Sequence, residues 1–295
     1  MTIKKRTKKK DIINFSTKVL VVVFTLLLML VFFLNKNHFD IFGKKNIEEI
    51  PRYSSINEQH SPKDYQELNP KNIEDTSELA LVNKEHSVSN KDIYLSPTTE
   101  ESNVSLRPQA LSASSALVSE ALNKVGGSIA INSGFRSFEE QAKLYDEAED
   151  KSFVQPPGHS EHETGLAVDI AVYASEDVEN TTQSKYLRKN SWKHGLILRY
   201  PKDKIKITGI ANEPWHFRYV GKIHAWYMYH KNLSLEEYID FIKTSKTYTK
   251  KLDGKIYTIS YHENSSSSIF IPINVKYSFS SDNTGGYILT TWTEP

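Results

Sequence analysis

Residues 157–173 read Pro157-Gly158-His159-Ser160-Glu161-His162-Glu163-Thr164-Gly165-Leu166-Ala167-Val168-Asp169-Ile170-Ala171-Val172-Tyr173. A polar, glycine-bounded stretch gives way to an apolar run, so the chain turns at Gly165 and enters a strand carrying Asp169. Upstream, SALVSEALNKVGG (Ser115–Gly127) places Leu117, Ala121 and Leu122 at helical spacing and stops at Gly126-Gly127. SIAINSGFRS (Ser128–Ser137) reads as a strand running into a turn. FEEQAKLYDEAED (Phe138–Asp150) is an amphipathic helix with Ser137 as N-cap and Glu139 and Glu140 in its first turn. Downstream, Leu187–Tyr200 reads as helix, break and strand, His216–Gly221 as a strand, and Leu235–Thr244 as a helix. LALVNK (Leu79–Lys84) predicts a short strand where order begins. Helices and strands are interspersed, with no regular βαβ repeat and no Gly-rich phosphate loop. The expected class is α+β, a small antiparallel sheet flanked by helices.

The flanks differ in texture. Residues 19–34 (VLVVVFTLLLMLVFFL) contain Thr25 as their one polar residue. Extended back to Ile12, the stretch is long enough to cross a bilayer as a helix of roughly 35 Å. The basic run Lys4–Lys10 precedes it, so the positive-inside rule predicts a cytoplasmic tail (1–11), a transmembrane signal anchor (12–34) and the remainder outside the cell. A cleaved signal peptide is the rival reading, but the flank Phe33-Leu34-Asn35-Lys36 lacks a small-residue cleavage site. Residues 35–77 are polar without sustained periodicity and predict a stalk. The expected catalytic region is 78–246. In 247–295 alternating runs separated by SSSS and SDNTGG predict a three-stranded antiparallel extension.

The formal net charge of +1 conceals an asymmetry, because seven basic residues lie in 1–34 against one acid. The remainder is mildly acidic, which gives no reason to expect nucleic-acid binding. Cysteine is absent, which excludes disulfides, thiolate metal sites and thiol nucleophiles. A bound metal must then be held by His, Asp or Glu. The oligomeric state is not written in the sequence, and a monomer is expected.

Three clusters carry the chemistry: Ser133-Gly134-Phe135-Arg136-Ser137 with Gln141, the stretch from Pro157 to Asp169, and Glu213-Pro214-Trp215-His216. A catalytic zinc takes three protein ligands and leaves a position to water. His162, Asp169 and His216 could supply those ligands, with the Gly165 turn bringing the first two together. The water then needs a base, and Glu213 stands three residues from His216. In a regular strand these two would face opposite sides, but Pro214 disfavours regular pairing and predicts a kink. Each cluster alone has a plain alternative: a structural histidine, a turn packed by Trp215, a strand end with a surface arginine. HETG is also not the HExxH helix, since Leu166 stands where the second histidine would be.

Taken in order, SGFRSFEEQ, GHSEHETGLAVDI, GLILRYP and TGIANEPWHFRYVG resemble the VanY-type D-alanyl-D-alanine carboxypeptidases, zinc peptidases that share a fold with the D-alanyl-D-alanine dipeptidases and the hedgehog signalling domain. The resemblance runs from about Leu79 to Lys243, and the tail resembles the extension of the glycopeptide-resistance enzymes. It implies a zinc cleft with His162, Asp169 and His216 as ligands and Glu213 as base. Arg136 is implied beside the scissile carbonyl or terminal carboxylate, with Ser160, Gln141 and Trp215 binding substrate and His159 unassigned. The implied reaction is hydrolysis of the terminal D-alanine from peptidoglycan stem peptides by Glu213-assisted attack of zinc-activated water, on a Gram-positive surface, with a role in glycopeptide resistance open. No Lys-Thr-Gly triad of penicillin-type serine enzymes is present, so β-lactams are expected to inhibit poorly. L,D-carboxypeptidase or wall-endopeptidase activity on the same site is the alternative. A non-catalytic wall-binding protein is a third, disfavoured by the base.

Overall fold

The structure, a computed structural model, describes residues 62–88, 94–98, 104–174, 177–264 and 268–293. The expected tail, the span 12–34 and the stalk up to residue 61 lie outside the described residues. Among the described residues no helix is long and apolar enough to cross a membrane. Chain order runs β1 (Tyr65–Leu68), β2 (Ser96–Pro97), β3 (Ser105–Leu106), α1 (Pro108–Val125), β4 (Ile129–Ser133), α2 (Phe138–Glu147) and β5 (Ala167–Val172). It continues through α3 (Thr182–Asn190), β6 (Leu196–Tyr200), β7 (Glu213–Tyr219), α4 (Lys222–Lys231) and α5 (Leu235–Ser245). Five strands follow: β8 (Thr247–Leu252), β9 (Lys255–Glu263), β10 (Ile269–Pro272), β11 (Lys276–Ser281) and β12 (Gly286–Thr293).

The central sheet has the order β4-β5-β7-β6, antiparallel throughout. Its two faces follow from the two-residue period of a strand. Val168, Ile170 and Val172 of β5 and Phe217 of β7 point to one face and pack against Ala110, Ala113, Leu117 and Ala121 of α1. The spacing of those four is that of a single helix stripe. Pro108 opens α1 where its missing N–H costs nothing. Leu117 is fully buried, which contributes roughly 1.5–3 kcal/mol. The other face carries the alternate residues, Asp169 of β5 and His216 and Arg218 of β7. The register pairs Asp169 with His216 and Ala167 with Arg218.

The kink expected at Pro214 is present as a register shift. Leu198 pairs with Phe217, but Tyr200 pairs with Glu213, so β7 carries extra residues between the two pairings. This bulge undoes the strand alternation and brings Glu213 to the same side as His216.

A second core packs α4 and α5, through Ile223, Met228, Tyr238, Ile239 and Ile242, against Leu79, Leu81, Val220 and the extension residues Ile259 and Ile288. The C-terminal strands therefore share a core with the domain before them.

The expected three-stranded extension is corrected to a four-stranded antiparallel sheet of order β11-β12-β9-β8, plus a two-stranded pair β1-β10. The run SIFIPINVKYSFS breaks after Pro272, and β10 leaves the main sheet to pair with β1. β8 (TYTKKL) joins β9 through Asp253-Gly254, both at positive φ, a tight hairpin turn. The stalk boundary is corrected too, because residues from Pro62 onward are ordered: Leu68 is buried with Ile269, Ile271, Phe279 and Leu289. LALVNK forms no strand. Leu79 N–H donates to Ser280 Oγ and Leu81 N–H to the Asp282 carbonyl, while Arg218 Nη2 donates to the carbonyls of Ser77, Glu78 and Ala80. These bonds hold the segment in place without a ladder.

Candidate metal centre

Asp169 and His216 face each other across the β5–β7 ladder, and His162 is delivered by a 3₁₀ turn, Glu161–Thr164, that ends at Gly165. Gly165 is left-handed (φ 68°), and a Cβ there would meet Leu95 at 2.9 Å and Arg107 at 3.2 Å. Only glycine makes this turn without cost. One nitrogen of each histidine and one Asp169 oxygen lie within 4.8 Å of one another. His162 Nε2 is 3.4 Å from Asp169 Oδ2, and His216 Nδ1 is 3.1 Å from Asp169 Oδ1. The three residues expected as ligands are therefore brought together.

The outer nitrogens are fixed as well. His162 Nδ1–H donates to the Gly134 carbonyl at 2.6 Å, which turns the Nε2 lone pair toward Asp169. His216 Nε2 faces Glu161 Oε2 at 3.5 Å, and among the described residues no group hydrogen-bonds either atom. This leaves Nδ1 of His216 facing the centre. A ring nitrogen oriented by a carboxylate or carbonyl behind it is the usual support of a metal-binding histidine.

Glu161 is anchored from below. Its Oε1 accepts from Arg199 Nε at 2.8 Å and Arg218 Nη1 at 3.0 Å, and Arg199 continues to Glu236 at 2.6 Å. Burial pushes the Glu161 carboxyl up, but the two guanidinium groups outweigh it and hold it well below the usual carboxylate range. None of Glu161, Arg199 or Arg218 was singled out by the sequence motifs. The two-residue period from His216 to Arg218 is the signal that could have found one of them.

Three carboxylates, those of Asp169, Glu161 and Glu213, surround His216. Burial alone would lower the pKa of His216, yet Asp169 and Glu161 raise it to about 10. Burial likewise pushes the Asp169 carboxyl up, and His162 and His216 hold it far below its ordinary value. Two imidazoles and a carboxylate, brought within 4.8 Å of one another, fit a zinc ion or a chemically similar divalent ion.

A cleft of about 350 Å³ opens over this cluster. Glu213 lines it, with Oε2 3.7 Å from His216 Nδ1. Its carboxyl is raised to about 7, by burial first and then by the carboxylates of Asp169 and Glu161. Arg136 also lines the cleft and is held by Gln141, whose Oε1 accepts from Nη1 at 2.8 Å. Gln141 Nε2 donates in turn to the Gln155 carbonyl at 2.6 Å, so this glutamine, 1% exposed, positions Arg136. Ser160 is buried in the cleft floor and Trp215, 40% exposed, forms its rim. His159 points elsewhere, its Nδ1 2.7 Å from the Asn83 carbonyl. Tyr200, missed by the motifs, packs its ring against His216 at 4.8 Å.

The chain is similar to known proteins. The family model described as VanY, D-alanyl-D-alanine carboxypeptidase, matches residues 103–222. A D-alanyl-D-alanine carboxypeptidase of Enterococcus faecium is 38% identical over 193 residues, 65% of this chain and 63% of that protein. The match thus spans less than two thirds of that relative's length. The crystal structure of the vancomycin-resistance D,D-dipeptidase VanXYg, in complex with a D-Ala-D-Ala phosphinate analogue, is 30% identical with a TM-score of 0.68. It covers 77% of this chain and 98% of that one. A vancomycin-resistance D,D-pentapeptidase VanY mutant in complex with Zn(II) is 34% identical with a TM-score of 0.50, over 56% of this chain and 99% of that one.

Proposed function

The chain belongs to the VanY-type D-alanyl-D-alanine carboxypeptidase family, and from that premise we propose that it removes the C-terminal D-alanine from peptidoglycan pentapeptide stems or precursors with the help of a zinc ion. The observation that carries this reading is the meeting of His162, Asp169 and His216 within 4.8 Å, with Glu213 beside them in one cleft. Those three side chains would hold the metal. When bound, zinc supplies a Lewis acid for the scissile carbonyl and lowers the pKa of water toward ~7.

The chain's own residues do the rest. Glu213, with its carboxyl near 7, takes a proton from the attacking water and hands it to the leaving amine close to neutral pH. Arg136, fixed by Gln141, offers a cation to the terminal carboxylate or to the developing oxyanion. Ser160 and Trp215 shape the cleft around the peptide. Residues 12–34 anchor the enzyme as a single-pass signal anchor with its catalytic region outside the cell. The basic run Lys4–Lys10 and the apolar stretch behind it support this placement. Removal of the terminal D-alanine would also remove the target of glycopeptide antibiotics.

The test is D-alanine release from a pentapeptide by the purified chain, with and without chelator, beside Glu213→Ala. Loss of release on chelation, its return with zinc, and a loss of 10²-fold or more in Glu213→Ala are expected. Release that survives both treatments would sink the zinc mechanism. A tetrapeptide run in parallel separates D,D from L,D specificity, and a cross-linked muropeptide reports endopeptidase action.

A further inference from the structure

Gln155 stands in the cleft wall with its side chain unbonded. It is 6% exposed, it lines the cleft, and among the described residues no group bonds its Oε1 or its Nε2. Leaving a buried donor and acceptor unmade is costly, and a ligand that supplies both partners removes that cost. The position is also fixed. Pro156 follows, which confines the Gln155 backbone to extended conformations, and the Gln155 carbonyl accepts from Gln141, the same amide that holds Arg136. The Gln155 backbone is therefore tied to the glutamine that holds Arg136, and Leu144, Phe153 and Val154 give the same cleft its apolar lining.

A carboxamide offers one donor edge and one acceptor edge in a plane. A free carboxylate alone would use the donor and leave the acceptor unmatched. The last residue of a peptide presents both complements, an N–H and a carboxylate separated by one Cα. We propose that Gln155 is a specificity-determining residue that holds the terminal residue of the stem peptide, Nε2 donating to its carboxylate beside Arg136 and Oε1 accepting its N–H. The assignment rests on the carboxypeptidase reading above. No sequence motif points to it, because it follows from burial and from the absence of a protein partner.

Two variants test it, Gln155→Leu, which fills the space without polar atoms, and Gln155→Glu, which keeps the shape and repels a carboxylate. In both, KM for the pentapeptide rises about tenfold or more while kcat stays within about threefold, the size expected for a lost hydrogen bond to a charged group. Gln155→Leu keeps a Tm at or above that of the parent, since a buried unbonded amide is removed. A KM within twofold of the parent in both variants overturns the assignment, as does a lowered Tm with KM unchanged, the mark of a structural role. If the parent releases no D-alanine, the carboxypeptidase reading fails by itself. Gln155 is then read by calorimetric binding of the dipeptide D-Ala-D-Ala to Glu213→Ala protein. A tenfold weaker affinity on adding Gln155→Leu upholds it, and an affinity within twofold overturns it.

Discussion

Asp169 and His216 are direct partners across the β5–β7 ladder, and His216 Nδ1 lies 3.1 Å from Asp169 Oδ1. Two of the three candidate metal ligands are therefore placed by backbone register, which a one-residue slip would scatter to the opposite face. Asp169→Asn keeps the shape and removes the charge that both histidines face. Zinc affinity measured by competition with a chromophoric chelator is expected to fall by about 10²-fold or more, with secondary structure by circular dichroism unchanged. An unchanged affinity would remove Asp169 from the centre.

Glu161 lies behind the centre, between His216 and the guanidinium groups of Arg199 and Arg218. Its removal leaves buried positive charge uncompensated, although Arg199 retains Glu236. Glu161→Ala is expected to lower unfolding stability by about 3–5 kcal/mol in urea titrations. At the same time it frees the His216 ring, so zinc affinity should weaken 10–100-fold. A fall in stability with zinc affinity intact would mean that the carboxylate serves the fold alone.

Glu78 gives a pH signature away from the metal. Burial raises its carboxyl to about 7, against the lowering influence of Arg107 and Arg218. The folded state thus binds a proton that the unfolded chain, near 4.5, has released. The stability contributed by that proton is full below pH ~4.5 and is lost as pH rises through ~7, so this group makes stability fall across the window. The size is on the order of 1–3 kcal/mol for a partly buried group. Glu78→Gln should flatten that segment of the Tm–pH curve and raise Tm at pH 8, and a curve parallel to the parent's would refute the assignment.

What the sequence made legible is the local part of the site. His162 and Asp169 are joined by one glycine turn and one strand, so their meeting follows from residues within a single short stretch. Glu213 and His216 required the bulge, which Pro214 announced. The supports were not legible because their partners are remote: Glu161 meets Arg199 and Arg218, each on a different strand. Adjacency on a 3₁₀ turn has no period that separates Glu161 from neighbours that are buried as well. The extension was misread for a related reason. YQEL of β1 has little apolar character, and only pairing with β10 and burial of Leu68 make it a strand. In the same way TYTKKL of β8 is polar and gains its place from the Asp253-Gly254 turn and from α5 beneath it.

Gly165 couples the turn to the metal ligand, which yields a last prediction. Its φ of 68° costs a residue with a Cβ roughly 1–2 kcal/mol. Here the added atom also meets Leu95 at 2.9 Å and Arg107 at 3.2 Å, and the Gly165 carbonyl accepts from Arg107 N–H at 2.9 Å. Relief of that contact must move either the Arg107 entry to α1 or the turn bearing His162. Movement of the turn stretches the bond from His162 Nδ1 to the Gly134 carbonyl and rotates Nε2 away from Asp169. Gly165→Ala is therefore expected to lose at least about 2 kcal/mol of stability and at least tenfold in zinc affinity, both measured on the same preparation. A loss of stability alone would show that Leu95 and Arg107 yield and the ligand turn stays in place.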